Sequence, residues 1–409
     1  MAGERIERFL GELTDNSDGR RIPIKEADRR PGPYPYYGAS GVVDSVDEFI
    51  FDGTYLLIAE DGENLRTRNT PIAFLARDKF WVNNHAHVVR GNTEADTRFL
   101  MYALSAMDIS GYLTGSTMPK LTQANLNRIP LVTPPLAEQR AIAHVLGTLD
   151  DKIELNRQMN ETLEAMARAF FKSWFVDFDP VRAKAEGRDP GFPKPLADLF
   201  PGSFEVSELG EIPKGWTAGC VDDEFDLTMG QSPPGETYNE AGQGLPFFQG
   251  RTDFGFRFPR RRVYCTAATR FAKLGDTLIS VRAPVGDINM AAEECAIGRG
   301  VAAARHKTGS RSYSYQFMRS LEEVFARFEA EGTVFGSIGK KDFHGISCVI
   351  PPRDLVLEFE RRLASVDGRV EINEREAHTL TALRDTLLPK LISGELRVKD
   401  AERIVGRAV

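Results

Sequence analysis

An α+β architecture built twice is the fold class this sequence predicts: two mixed α/β domains in tandem repeat, separated by two long antiparallel coiled-coil helices, with pseudo-twofold symmetry. Three observations predict it. The chain matches itself at an offset of 217 residues, each copy runs from an irregular aromatic-rich segment through a Pro-Pro pair into a long amphipathic helix, and the positive charge gathers in the two irregular segments.

The duplication is gapless where it is strongest. Val132, Pro134, Pro135, Leu146, Asp150, Glu154 and Asn156 recur as Val349, Pro351, Pro352, Leu363, Asp367, Glu371 and Asn373, seven identities in 25 positions. Conservative pairs fill the intervals, among them Leu149/Val366, Lys152/Arg369 and Ile153/Val370; Gly115, Ile129 and Leu163 pair with Gly332, Ile346 and Leu380.

The first mixed domain is expected over 1–135. Tyr55 to Ala59 and Ile72 to Leu75 read as buried strands, and Asp52-Gly53 and Asp61-Gly62 as the turns that separate them. Pro134-Pro135 ends that domain and frees the next residues to start a helix. A central helix over 136–178 follows, about 60 Å long at 1.5 Å per residue for its 40 residues from Leu136 to Phe175.

Its a/d series is Leu146, Leu149, Ile153, Asn156, Asn160, Leu163, Ala167, Phe170 and Trp174. Shifted by 217, the series becomes Leu363, Val366, Val370, Asn373, Ala377, Leu380, Arg384, Leu387 and Leu391. A helix this long with one narrow apolar seam calls for a partner, and its own copy supplies one. Asn156 and Asn373 share a d position and read as a polar layer that fixes register at some expense of stability.

A Pro/Gly-rich linker over 179–210 can reverse the chain so that the helices meet antiparallel. The second mixed domain spans 211–352, with Thr277 to Val281 as its buried strand and Gly275-Asp276 as a turn. A C-terminal helix over 353–393, which Pro389 should end or kink near its last turn, precedes a tail over 394–409.

Of the 409 residues 42% are hydrophobic and 27% charged, which excludes disorder, collagen and a chain that is all coiled coil. No uncharged apolar stretch is long enough for a membrane span, and Met1 to Phe9 lacks the apolar core of a signal peptide, so a soluble cytoplasmic protein is expected. Cys220, Cys265, Cys295 and Cys348 are spaced for neither a zinc site nor a disulfide framework and read as reduced thiols.

The net charge of −7 conceals its distribution. From Pro246 to Arg311 there are 12 Lys/Arg and 5 Asp/Glu, a local +7; from Leu65 to Arg90, 5 Lys/Arg and one acid, a local +4. Arg257, Arg260, Arg261 and Arg262 stand among Phe254, Phe256, Phe258 and Tyr264, and Phe80-Trp81 lies in the first window. Basic windows in both copies point to nucleic acid, because Lys and Arg supply phosphate affinity while Arg, Asn and Gln read base edges. Arg251, Arg257 and Asn84 are the expected base readers. Lys120, Arg260, Arg282, Lys340 and Lys341 are the expected phosphate contacts, Lys340 standing in the loop equivalent to that of Lys120. A solvated strand face explains Arg260 to Arg262 equally well taken alone, and Asn83-Asn84 alone reads as a turn.

Catalytic constellations are missing. The three Pro-Pro pairs lack the aromatic that follows in adenine methyltransferases. Gly336-Ser337-Ile338-Gly339-Lys340-Lys341 departs from a phosphate-binding loop at Val334 and Lys341. Asp150-Asp151-Lys152 without a partner acid reads as a solvated helix face rather than a nuclease site, and His85/His87 form at best a weak ligand pair. No metal site is expected.

Pro35-Tyr36-Tyr37-Gly38, Tyr55-Leu56-Leu57-Ile58-Ala59-Glu60-Asp61-Gly62, Pro134-Pro135-Leu136-Ala137-Glu138-Gln139-Arg140 and Leu149-Asp150-Asp151-Lys152-Ile153 together resemble the DNA-specificity subunits of type I restriction-modification systems. So do the segments from Ser207 to Trp216 and from Leu388 to Glu395. The second copy departs from the pattern, with Arg353-Asp354-Leu355 in place of Leu136-Ala137-Glu138.

The resemblance implies two target-recognition domains, each reading one half of a bipartite double-stranded DNA site. It also implies helices that act as a ruler and dock two methyltransferase subunits, to which two restriction subunits can be added. No cofactor is expected in this chain: S-adenosylmethionine and the methylating residues would belong to the partners. The alternatives are a coiled-coil scaffold without base readout and an enzyme with an unrecognised site in one head.

Overall fold

The computed structural model describes residues 4–330 and 336–409; Gly332 of the repeat and Val334 lie outside them. It divides into two units, Met1–Asn156 with Arg375–Val409, and Arg157–Glu374. The division runs through both long helices, Leu136–Phe175 and Arg353–Ser393, so each unit holds the first part of one and the last part of the other.

In the first unit Ile6–Phe9 pairs antiparallel with Pro130–Thr133. A central antiparallel sheet runs Thr14–Asn16, Ala86–Gly91, Tyr55–Ala59, Ala73–Ala76. Tyr55–Ala59 is buried throughout, as its unbroken apolar run requires; the strand expected from Ile72 begins at Ala73. A second sheet orders Gly41–Val46, Tyr34–Gly38, Lys79–Val82 and Phe51–Asp52. The core gathers Leu56, Ile58, Phe99 and Leu100 with Leu146 and Leu149 from one long helix and Leu380, Leu387 and Leu391 from the other.

The second unit repeats this plan. Thr217–Cys220 pairs with Ser347–Ile350, and the central sheet runs Phe225–Met229, Val301–His306, Thr277–Val281, Val285–Met290. Ile279, Ala302, Tyr313 and Phe317 pack with Ala167, Phe171 and Trp174 of one long helix and Phe359 and Leu363 of the other. The 217-residue offset relates strands Pro130–Thr133 and Ser347–Ile350, and helices Gln123–Asn127 and Lys340–His344, residue for residue.

Within each unit the long helices are antiparallel. Asn156 donates to Glu376 at 2.8 Å and Arg384 to Asp150 at 2.8 Å in the first unit. In the second, Asn373 donates to Asn160 at 2.8 Å, and the Phe171 and Phe359 rings lie 5.8 Å apart. Leu146, Asn156, Leu363, Val370, Asn373 and Leu380 are buried as the seam requires, with Ile153 and Leu163 partly buried.

One seam position is corrected: Phe170 is 41% exposed and Phe171 takes its place inside. A straight helix drifts from a strict heptad by about 20° per seven residues, and past Ala167 the spacing follows the 3.6-residue period of a globular core. The polar layer is also richer than expected. Asn156 and Asn373 are each fully buried, but their partners are Glu376 and Asn160 rather than their repeat equivalents. Pro389 lies inside the second helix, one turn before its end at Ser393.

The Pro/Gly-rich connector is folded into the second unit. It forms helices Asp179–Ala185 and Lys194–Ala197, then a hairpin of Phe204–Ser207 and Gly210–Pro213. Phe192 and Phe200 meet Trp174 edge-on at 5.6 and 5.2 Å. Among the described residues no helix is long and apolar enough to cross a membrane.

Candidate nucleic-acid interface

In both units the loop before the last strand of the mixed domain lies against the end of the central buried strand. In the first unit Leu121 N–H donates to Glu60 O at 2.8 Å and Gly62 N–H to Pro119 O at 3.1 Å. In the second, Ile338 N–H donates to Val281 O at 3.1 Å and Ala283 N–H to Gly336 O at 3.3 Å. Between these bonds the bridge partners are Asp61 with Lys120 and Arg282 with Ser337. The backbone is therefore the same, and the side chain at the tip is an acid in one unit and a base in the other.

The same bonds correct one placement. The equivalent of Lys120 is Ser337, 217 residues on, whereas Lys340 and Lys341 begin the short helix Lys340–His344 and match the helix at Gln123. Both lysines are exposed.

At the tip of the first unit, Asn83 Oδ1 accepts from His85 N–H at 2.8 Å, a turn that leaves Asn84 exposed. His85 Nδ1 lies 2.9 Å from Asp61, and Lys120 Nζ 3.2 Å from Glu60. His87 faces inward, with Nδ1 2.6 Å from Asp18 and Nε2 2.7 Å from Leu121 O, so the two histidines do not converge. Burial pushes the Asp18 carboxyl up, but the His87 ring and Val88 N–H outweigh it and hold it below the usual range. Glu60 is likewise lowered against its burial, by Arg21, His87 and Lys120. This network pairs Asp61 with His85 and Glu60 with Lys120 at the tip.

The tip of the second unit opens into a cleft of about 660 Å³ lined by Tyr238, Gln249, Arg251, Arg282 and Arg299. Glycine at 300 permits it, because a Cβ there would meet the Gln249 carbonyl oxygen at 2.2 Å. Asp253, almost fully buried, fixes the neighbouring turn by accepting from Gln249 N–H at 2.7 Å and from Arg262 at 2.9 Å. Arg251 Nε lies 3.3 Å from Asp287 Oδ2. Arg260 is exposed, its backbone N–H donating to Asp253 O at 2.7 Å. Sequence reasoning named Arg251 and Arg282 but missed Arg299 and Tyr238; the Gly298-Arg299-Gly300 triplet, a cation between two small residues, was the available signal.

Arg257 is the clear correction. Only 1% exposed, it bonds through Nε and Nη2 to Glu164 and through Nη1 to Asp367 at 2.9 Å, with its guanidinium 3.9 Å from the Tyr315 ring centre. It reaches no solvent and reads no base; it pins the head of the second unit to its two long-helix segments. Asp367 also accepts from Ser312. The repeat equivalent, Asp150, accepts from Tyr102 and from Arg384, so the shared aspartate docks a head in both units and is no solvated face. Glu138 and Gln139 of the Glu-Gln-Arg element are structural too. Glu138 pairs with Arg5 at 2.8 Å, and Gln139 Oε1 accepts from Asp96 N–H at 3.0 Å at the start of helix Thr97–Ala106.

Residues 6–165 match the family model of the type I restriction modification DNA specificity domain. The chain is 31% identical over 282 residues to a Methanocaldococcus jannaschii protein named as the MjaX specificity subunit of a type I restriction enzyme, covering 68% of this chain and 62% of that relative's length. It is 24% identical to the type I restriction enzyme HindI specificity subunit of Haemophilus influenzae over 84% of each. The crystal structure of the S subunit of the type I restriction-modification system of M. genitalium shares its fold, with a TM-score of 0.63 at 17% identity over 95% of this chain and 96% of that one.

Proposed function

Because the chain belongs to the type I restriction-modification DNA specificity family, we propose that it is the non-catalytic subunit that recognises a bipartite double-stranded DNA site, each unit reading one half. The observation that carries this reading is the pair of tips at Asp61 and Arg282: identical backbone bonding, opposite charge. Two such surfaces suit two different half-sequences. In this reading the long helices dock two methyltransferase subunits, which bring S-adenosylmethionine and the methylating residues, and restriction subunits join that core.

The test is an exchange of residues 246–311 for the matching segment of another family member, with the methylated motif read by sequencing genomic DNA. One half of the motif changes and the other stays. A motif altered in both halves, or in neither, refutes the assignment. Binding of the purified chain with its methyltransferase partner to random duplex DNA should fall steeply with salt; a coiled-coil scaffold without DNA contacts shows no such dependence.

A further inference from the structure

Within that reading, on which this inference rests, we infer that Arg251 is a guanine reader held in place by Asp287, so that the half-site of the second unit contains a guanine. Most cations of the cleft region are either free or fully engaged, and Arg251 is neither. Arg261 and Arg262 are tied to Glu293 and Asp253 at 2.5 and 2.9 Å, whereas no ion pair engages the Arg282 and Arg299 side chains among the described residues. Arg251 is 63% exposed, with its Nε 3.3 Å from the Asp287 carboxylate. No hydrogen bond engages either Nη among the described residues, Arg251 lines the cleft, and a guanidinium edge of two Nη groups matches the O6 and N7 acceptors of guanine in the major groove.

The backbone that carries this carboxylate is itself anchored. Asp287 N–H donates to the Oγ of fully buried Ser280 at 2.9 Å, and its buried Oδ2 has no hydrogen-bond donor, so Arg251 is the cation it faces. On the other side, the turn at Arg251–Asp253 is fixed through Asp253 to Gln249 and Arg262. A reader whose loop is fixed and whose head group is already steered by a facing carboxylate before DNA arrives loses less freedom on binding, which sharpens its discrimination. A phosphate contact needs no such buttress. Asp287 is accordingly a positioning residue.

The experiment uses the full chain co-expressed with its methyltransferase subunits. It reads the methylated motif and measures binding to duplexes altered one base pair at a time. In the half-site that follows the 246–311 exchange, one guanine position should be worth roughly 10–100-fold to the parent chain. Arg251→Gln abolishes that preference with the other half-site unchanged, and Asp287→Asn weakens it at the same base pair. Arg282→Gln weakens all duplexes alike and lowers the salt slope by about one. A half-site without guanine, or an Arg251→Gln chain that weakens all duplexes equally, overturns the inference while the proposed function stands. If the exchange moves neither half-site, the proposed function itself fails.

Discussion

Removing the guanidinium of Arg257 should destabilise the second unit without changing DNA sequence preference. The side chain makes three N–H donations, two to Glu164 and one to Asp367, and covers the face of Tyr315. Arg257→Met keeps much of the volume and leaves two buried carboxylates facing apolar neighbours. Breaking a buried pair from one side costs about 3–5 kcal/mol. The lower end applies here, because Arg319 still pairs with Glu164 at 3.0 Å and Ser312 still donates to Asp367. For a unit of this size, about 3 kcal/mol lowers the Tm by roughly 10 °C. Arg257→Lys recovers only part, since an ammonium cannot bridge both carboxylates in one plane. The triple variant Arg257→Met, Glu164→Gln, Asp367→Asn should regain most of the loss. Calorimetry of the full chain measures all three. An Arg257→Met chain with an unchanged Tm and an altered methylation motif would refute the clamp and restore Arg257 to the DNA surface.

Glu374 gives the second unit an unusual pH response. Burial pushes its carboxyl up to about 7 from 4.5, against the Arg257 N–H bond. A raised folded-state pKa stabilises below the unfolded value and is lost as pH rises through about 7, so the Tm of this unit falls between pH 5 and 8 and Glu374→Gln flattens the slope. The effect is at most about 3 kcal/mol, and a Tm that rises over that range contradicts it. Asn160→Leu strands the Asn373 amide and costs about 1–3 kcal/mol by urea denaturation, while Asn160→Leu with Asn373→Leu is near neutral. Lys340→Gln with Lys341→Gln lowers the salt slope of DNA binding by about two without changing the motif; an unchanged slope removes both from the interface. Gly300→Ala forces a Cβ against the Gln249 carbonyl and should relax selectivity in the same half-site as Arg251→Gln, measured on the same duplex panel.

The parts of the fold visible in the sequence are those held by local pattern at constant spacing. Strand Ser347–Ile350 and helix Lys340–His344 follow from their first-copy equivalents because the offset stays at 217. At the tips the offset slips to 221, pairing Asp61 with Arg282, and a gapless comparison passes over the most informative contrast in the molecule. Arg257 was misplaced for a similar reason. Nothing beside it distinguishes it from Arg260 to Arg262; its burial is decided by carboxylates 93 and 110 residues away. Arg251 stands in the basic window from Pro246 to Arg311, but the buttress from Asp287 depends on a strand register that local sequence does not encode.

The way the two units share the long helices bears on how the protein is made. The second unit is one uninterrupted stretch, Arg157–Glu374, whereas the first needs Arg375–Val409 to cover Leu146 and Leu149 and to engage Arg5, whose Nη1 donates to Ile392 O at 2.8 Å. On the ribosome the later unit can therefore close first. The earlier one waits with an open apolar groove until Arg375–Val409 emerges, at about 5–20 residues per second. The first unit is thus the part left longer within reach of chaperones and proteases, although most of it leaves the ribosome before the second.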